Sequence, residues 1–146
     1  MNPLPRIGIT MGDPAGIGPE IVVKALSRPD LYAAARPVVL GDPGAFGALV
    51  ESHPGLTLRE VGETNGTGER ASVVDLLPTS RQDPVRLGPG VPTREGGEAM
   101  VAAVTRGVEL ALRGELDAVV TGPISKPRIQ QVGRPVEGHT QLLAHL

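Results

Sequence analysis

"ITMGDPAGIGPE", residues 9–20, sets three glycines and two prolines between two apolar runs. The run that leads into it, Arg6 to Met11, is short, apolar and bounded by Pro5 and Gly12, as a buried strand is. The run that leaves it carries helix-start signals. Gly18 can serve as N-cap, Pro19 suits the first helical position, and Glu20 complements the positive end of the helix dipole. Ile21, Val22, Ala25 and Leu26 then form one apolar stripe, which "SRPD" ends at Pro29. The stretch is a strand-to-helix turn. Its glycines let backbone approach a ligand, and the first helical turn offers unpaired N–H groups to an anion. A plain turn would use the same residue types, and two familiar phosphate motifs fail. No Lys-Ser/Thr pair follows, as a P-loop needs, and Gly12, Gly16 and Gly18 are spaced G-x-x-x-G-x-G, not G-x-G-x-x-G.

Working outward, "PVVLG" (37–41) is a second strand, followed by Asp42 as N-cap and Pro43 at the first helical position. "LTLREV" (56–61) alternates like a strand with one face exposed, and "SVVDLL" (72–77) is another strand. Residues 62–70 and 78–92 are rich in glycine, proline and polar residues and read as loops. The longest helix spans about Glu95 to Arg113, with Met100, Val101, Val104, Val108, Ala111 and Leu112 as its apolar stripe and Gly114 as the C′ residue. "DAVVTG" (117–122) is a buried strand, a short helix follows from Lys126 to Val132, and another begins at Thr140, whose hydroxyl can cap it. Strands alternating with helices predict an α/β domain with a largely parallel sheet flanked by helices.

Composition narrows the function. The 146 residues suit one domain, and the absence of cysteine removes disulfides, thiolate metal sites and cysteine nucleophiles. A formal charge of −2, with Tyr32 and Phe46 as the only Phe, Tyr or Trp residues, argues against a nucleic-acid partner. No apolar run reaches the roughly 20 residues of a membrane span, and the N-terminus lacks a signal-peptide pattern, so the expectation is a cytoplasmic protein with no membrane partner.

Taken whole, residues 9–20 resemble the N-terminal signature of the 4-hydroxythreonine-4-phosphate dehydrogenase (PdxA) family. The related isocitrate and isopropylmalate dehydrogenases carry a similar "GDGIGPE"-like turn. "ELALRGELDAVVTGPISKPRIQQVG" (109–133) is similar to the family's helix–strand–"TGP-x-x-K" segment, and "EGHTQLLAHL" (137–146) to its "GHTE" segment. The three blocks occur in family order and span nearly the whole chain.

The resemblance implies an isocitrate/isopropylmalate dehydrogenase-like fold of two α/β lobes with the site between them, working as a homodimer. It implies NAD-dependent oxidation of 4-phosphooxy-L-threonine, followed by decarboxylation, in pyridoxal 5'-phosphate (vitamin B6) biosynthesis. A divalent metal (Zn, Mg or Co) held by three histidines would polarise the reacting oxygens. His139 and Thr140 match the positions that contact substrate, and Gly12, Asp13, Gly16, Ile17 and Gly18 match the turn on the cofactor side. Lys126 matches the loop lysine, without an assigned role. Read without the resemblance, His139 is a loop histidine, Asp13 a turn residue and Lys126 a solvated helix-start lysine.

Two residues depart from the family pattern: Gln141 where Glu is usual, and Glu137 where Pro is frequent. Family chains are far longer, and their metal-binding histidines lie beyond this stretch. His53 is in a turn, and His139 and His145 are six residues apart, on different faces of any helix, so no metal site is expected among these residues. Residues 1–146 are thus expected to form the N-terminal part of such an enzyme, lacking the second part of the fold. The alternatives are a paralogue acting on 4-phospho-threonate or erythronate, and a non-catalytic ligand-binding fragment.

Overall fold

The computed structural model describes residues 3–90, 92–133 and 138–146. Among the described residues five strands form one sheet: β1 (Arg6–Thr10), β2 (Arg36–Gly41), β3 (Thr57–Glu60), β4 (Val73–Pro78) and β5 (Ala118–Thr121). Their order is β3-β4-β2-β1-β5 and every pairing is parallel, as the alternation of strands and helices predicts. The helices are α1 (Gly18–Leu26), α2 (Pro29–Ala34), α3 (Pro43–Glu51), α4 (Arg94–Leu112), α5 (Lys126–Gln131) and α6 (His139–Ala144).

β2 shows why the sheet carries helices on both faces, since all of it from Pro37 to Gly41 is buried. Val39 joins Val22, Val23, Leu26, Phe46 and Val50 of α1 and α3 on one face. Val38 and Leu40 join Ala103 and Leu110 of α4 on the other. A smaller cluster of Met100, Val104, Ile129 and Leu142 ties α5 and α6 to α4.

Caps set the helix starts. The Asp42 carboxylate accepts the Gly44 N–H at 2.9 Å and also the Ser80 hydroxyl and Gln82 N–H, at 2.6 and 2.7 Å. This buried side chain thereby fixes both α3 and the loop after β4. Thr93 caps α4 through Gly96 at 3.0 Å, and Gly114 ends it in a left-handed conformation (φ 72°), as expected.

Several local expectations are corrected. Ile17, not Gly18, is the N-cap of α1; Gly18 is its first residue and Pro19 the second, because the turn enters helical geometry one residue early. A helix that the sequence does not announce follows α1 at once: Pro29 starts α2, as proline at a first helical position can. Thr140 does not cap α6. Gly138 does, with no side-chain cap bond, and Thr140 is exposed in the first turn. Leu112 leaves the α4 core stripe and is 77% exposed, because the buried face drifts through Ala103, Gly107 and Leu110.

Candidate functional site

The chain leaves β1 and β5 toward opposite faces of the sheet. After β1 it runs through residues 11–17 into α1, which packs on α3; after β5 it runs through residues 122–125 into α5, which packs on α4. Adjacent parallel strands whose connections part in this way open a crevice at their carboxyl ends, where ligands of open α/β sheets bind.

Two backbones meet at the floor of that crevice. The Gly122 N–H donates to the Thr10 carbonyl and hydroxyl oxygens, at 3.0 and 3.3 Å, and the Asp13 N–H donates to the Pro123 carbonyl at 2.8 Å. Gly12 sits at φ 72°, and a Cβ there would lie 2.5 Å from the Pro123 carbonyl oxygen. A Cβ on Gly18 would lie 2.2 Å from the Met11 carbonyl oxygen. The fold requires both glycines. It does not require Gly16, which is exposed, lies outside the left-handed region, and would place a Cβ no nearer than 3.5 Å to any atom. Its neighbour Ile17 is 63% exposed. The solvent side of the turn is therefore bare backbone and an uncovered aliphatic side chain at the start of a nine-residue helix. An anion or a planar ligand fits such a surface.

His139 stands at the same place. Its half-buried imidazole interacts with the backbone of Gly122, while Nε2 is buried without a hydrogen-bond partner among the described residues. Burial pushes its pKa below the usual 6.5, against the opposing effect of the Gly122 backbone, so the ring is neutral near pH 7. A neutral imidazole with one nitrogen unused can donate to or accept from a ligand oxygen. Lys126, at the start of α5, is exposed, and its Cε lies 3.5 Å from where a Gly138 Cβ would be. The three strings singled out in the sequence thus adjoin in space: the glycine turn touches Gly122-Pro123, and His139 touches Gly122. Thr140, next along α6, is open to solvent. Glu137 lies outside the described residues.

Sequence reading assigned Asp13 to the turn and passed over Arg128. The Asp13 carboxylate does shape the turn, accepting the Ala15 N–H at 2.9 Å. Its other oxygen lies 3.5 Å from Nε of Arg128, and these two side chains are only 12% and 9% exposed. Arg128 Nη1 also donates to the Thr93 carbonyl at 2.9 Å. An arginine at the third position of a short polar helix gives no sign in sequence that it turns inward.

The family model described as "Pyridoxal phosphate biosynthetic protein PdxA" matches residues 33–146. The chain belongs to the PdxA family. It is 41% identical over 141 residues to a 4-hydroxythreonine-4-phosphate dehydrogenase of Desulforapulum autotrophicum, covering 96% of this chain and 42% of that protein. A protein of Symbiobacterium thermophilum named "Putative D-threonate 4-phosphate dehydrogenase" is 39% identical over 153 residues, covering 100% of this chain and 44% of its own length. Among solved structures, a 4-hydroxythreonine-4-phosphate dehydrogenase from Burkholderia phymatum superposes with a TM-score of 0.89 at 34% identity, covering 99% of this chain and 44% of that one. The chain spans less than half the length of the curated relatives it matches. The PdxA model begins at residue 33, so the glycine turn lies outside that match and inside the structural one.

For the metal that the PdxA resemblance implies, the residues do not fit. Among the described residues no three His, Asp or Glu side chains cluster as ligands, and the His145 ring is bonded to the Gln141 carbonyl through Nδ1 at 2.6 Å. For a nicotinamide cofactor the fit is better, since Gly16 and Ile17 offer an open backbone cradle at a helix start.

Proposed function

We propose that residues 1–146 form the N-terminal α/β part of a PdxA-type dehydrogenase, which oxidises 4-phosphooxy-L-threonine with NAD in vitamin B6 biosynthesis, with decarboxylation following. The observation that carries this reading is the junction at Gly122, where the glycine turn comes from one side and the His139 imidazole from the other. In this reading Gly12, Asp13, Gly16, Ile17 and Gly18 form the cofactor side, and Gly16 leaves room for the cofactor to lie against the backbone. NAD, when bound, supplies the hydride acceptor. His139 and Thr140 contact the substrate. The imidazole orients a substrate oxygen through Nε2, staying neutral because burial disfavours its charge. Lys126, exposed beside Gly138, adds a cation near this mouth and suits an anionic substrate. The remaining parts of the reading are a second lobe, a homodimer, a cytoplasmic location and a metal held outside these residues.

The test is NADH formation by the full-length enzyme containing this chain. Turnover of 4-phosphooxy-L-threonine is expected, with His139→Ala lowering kcat/KM about 100-fold, in the range of a lost positioned acid–base or hydrogen-bonding group. Unchanged kcat/KM in His139→Ala would remove the assignment.

A second reading, a dehydrogenase of 4-phospho-threonate or erythronate, draws on the relative named for D-threonate 4-phosphate at nearly equal identity. Comparing kcat/KM on the amino and hydroxy substrates separates the two.

A further inference from the structure

We propose that Arg128 is a positioning residue for the glycine turn, acting through Asp13; the inference rests on the reading that this turn faces the cofactor. Arg128 leaves α5 inward, and its side chain is nine-tenths buried, which a charged residue accepts only with partners. Those partners lie on two separate segments of the crevice mouth. Nε faces the Asp13 carboxylate in the turn after β1, at 3.5 Å, and Nη1 holds the Thr93 carbonyl at the start of α4, at 2.9 Å.

The same segments are linked by further bonds that give the arginine leverage. The Ala15 carbonyl accepts the Gly90 N–H at 2.7 Å, and the Asp13 N–H reaches Pro123 at 2.8 Å. Asp13 therefore couples the turn to the β5 loop by its backbone and to α5 by its side chain.

The pair also has an electrostatic consequence. Asp13 belongs to the turn that leads into a helix start otherwise suited to an anion. Left alone, its carboxylate would repel the pyrophosphate of a dinucleotide; with Arg128 it makes a neutral pair. Removing the arginine should both loosen the turn and leave a buried negative charge within it.

Arg128→Met, Arg128→Lys, Asp13→Asn and the double variant R128M/D13N, made in the full-length enzyme, test this. Calorimetry is expected to give at least a tenfold weaker Kd for NAD in Arg128→Met, with a matching rise in KM for NAD and kcat within about threefold. The double variant should recover much of the affinity, because no unpaired carboxylate remains. Arg128→Lys should fall between, since one ammonium cannot hold both Asp13 and Thr93 in the arginine's forked geometry. A lowered melting temperature with unchanged Kd for NAD, in Arg128→Met or in Arg128→Lys should the former not fold, would mean a structural brace only and overturn the proposal. So would a double variant no better than Arg128→Met. If the wild type binds no NAD, the cofactor reading fails by itself, and the positioning claim is decided by amide NMR. Shifts at Gly12, Gly16 and Gly18 in the variants, with Gly55 and Gly66 unmoved, would uphold it, and unmoved turn amides would sink it.

Discussion

Residues 11–18 and 62–70 are both rich in glycine, and they do opposite things. The first lies at the carboxyl ends of the strands and leaves Gly16 and Ile17 facing solvent. The second folds over the amino ends: Asn65 accepts from Arg6 at the start of β1, Thr64 donates to the Glu115 carbonyl ahead of β5, and Gly68 is pressed against Arg36 at the start of β2. Each holds a buried carboxylate facing an arginine. Asp13 faces the inward Arg128, whereas Asp75 takes the Gly68 N–H at 2.7 Å and pairs with Arg59, whose side chain is half exposed. Glycine content therefore does not mark a ligand turn. What separates the two is the end of the sheet they occupy, since Gly62 in the second loop is as free of steric contact as Gly16 in the first.

The largest expected effects test that distinction. Gly18→Ala would force a Cβ to 2.2 Å from the Met11 carbonyl oxygen, and Gly68→Ala, at φ 67°, to 2.5 Å from Arg36 backbone. Each should cost about 3 kcal/mol or more by chemical denaturation. Gly16→Ala should change stability by less than about 0.5 kcal/mol while weakening NAD binding. A Gly16→Ala variant with intact binding would erase the contrast between the two loops.

Asp75→Ala leaves the Gly68 N–H without its acceptor and should cost about 2–3 kcal/mol, with no change in ligand affinity. An effect on affinity would mean the far end of the sheet communicates with the crevice.

The next effect depends on pH. Burial holds the His139 pKa below 6.5, so the unfolded chain takes up a proton more readily than the folded one. The stability linked to this group is present above pH 6.5 and lost as pH falls through the depressed folded value. A melting curve series should show a steeper acid-side fall in the native chain than in His139→Asn; parallel curves would place the ring in a solvent-like setting.

The smallest effect concerns Tyr32, whose buried hydroxyl has no partner among the described residues and whose pKa is pushed up to about 12, by burial first and by Asp75 second. Tyr32→Phe should be neutral or stabilising by up to about 1 kcal/mol in the same denaturation assay.

Most of the architecture was legible because punctuation and periodicity agree along the chain. Asp42-Pro43, Gly114 and the apolar run at 37–41 each signal one structure with little competition, whereas 117–122 forms the expected strand but not a buried one, with Val120 54% exposed. α2 was missed because a proline that ends one helix can also begin the next. The cap of α6 was misplaced because Thr140 has the right chemistry while the backbone already turns at Gly138. For the candidate site, the resemblance supplied His139 and the glycine turn. The Asp13–Arg128 pair was invisible, since it depends on how α5 packs against α4 and not on spacing.

Among the described residues β5 pairs with β1 alone, Val120 is 54% exposed, and Ile7, Ile9, Ile21 and Val120 line an apolar groove of about 280 Å³ beside it. Such a flank, uncharged from Ala118 to Thr121, presents backbone groups that a further strand could extend. That edge ends one residue before Gly122, so anything that zips onto it grips the hub where turn and imidazole meet.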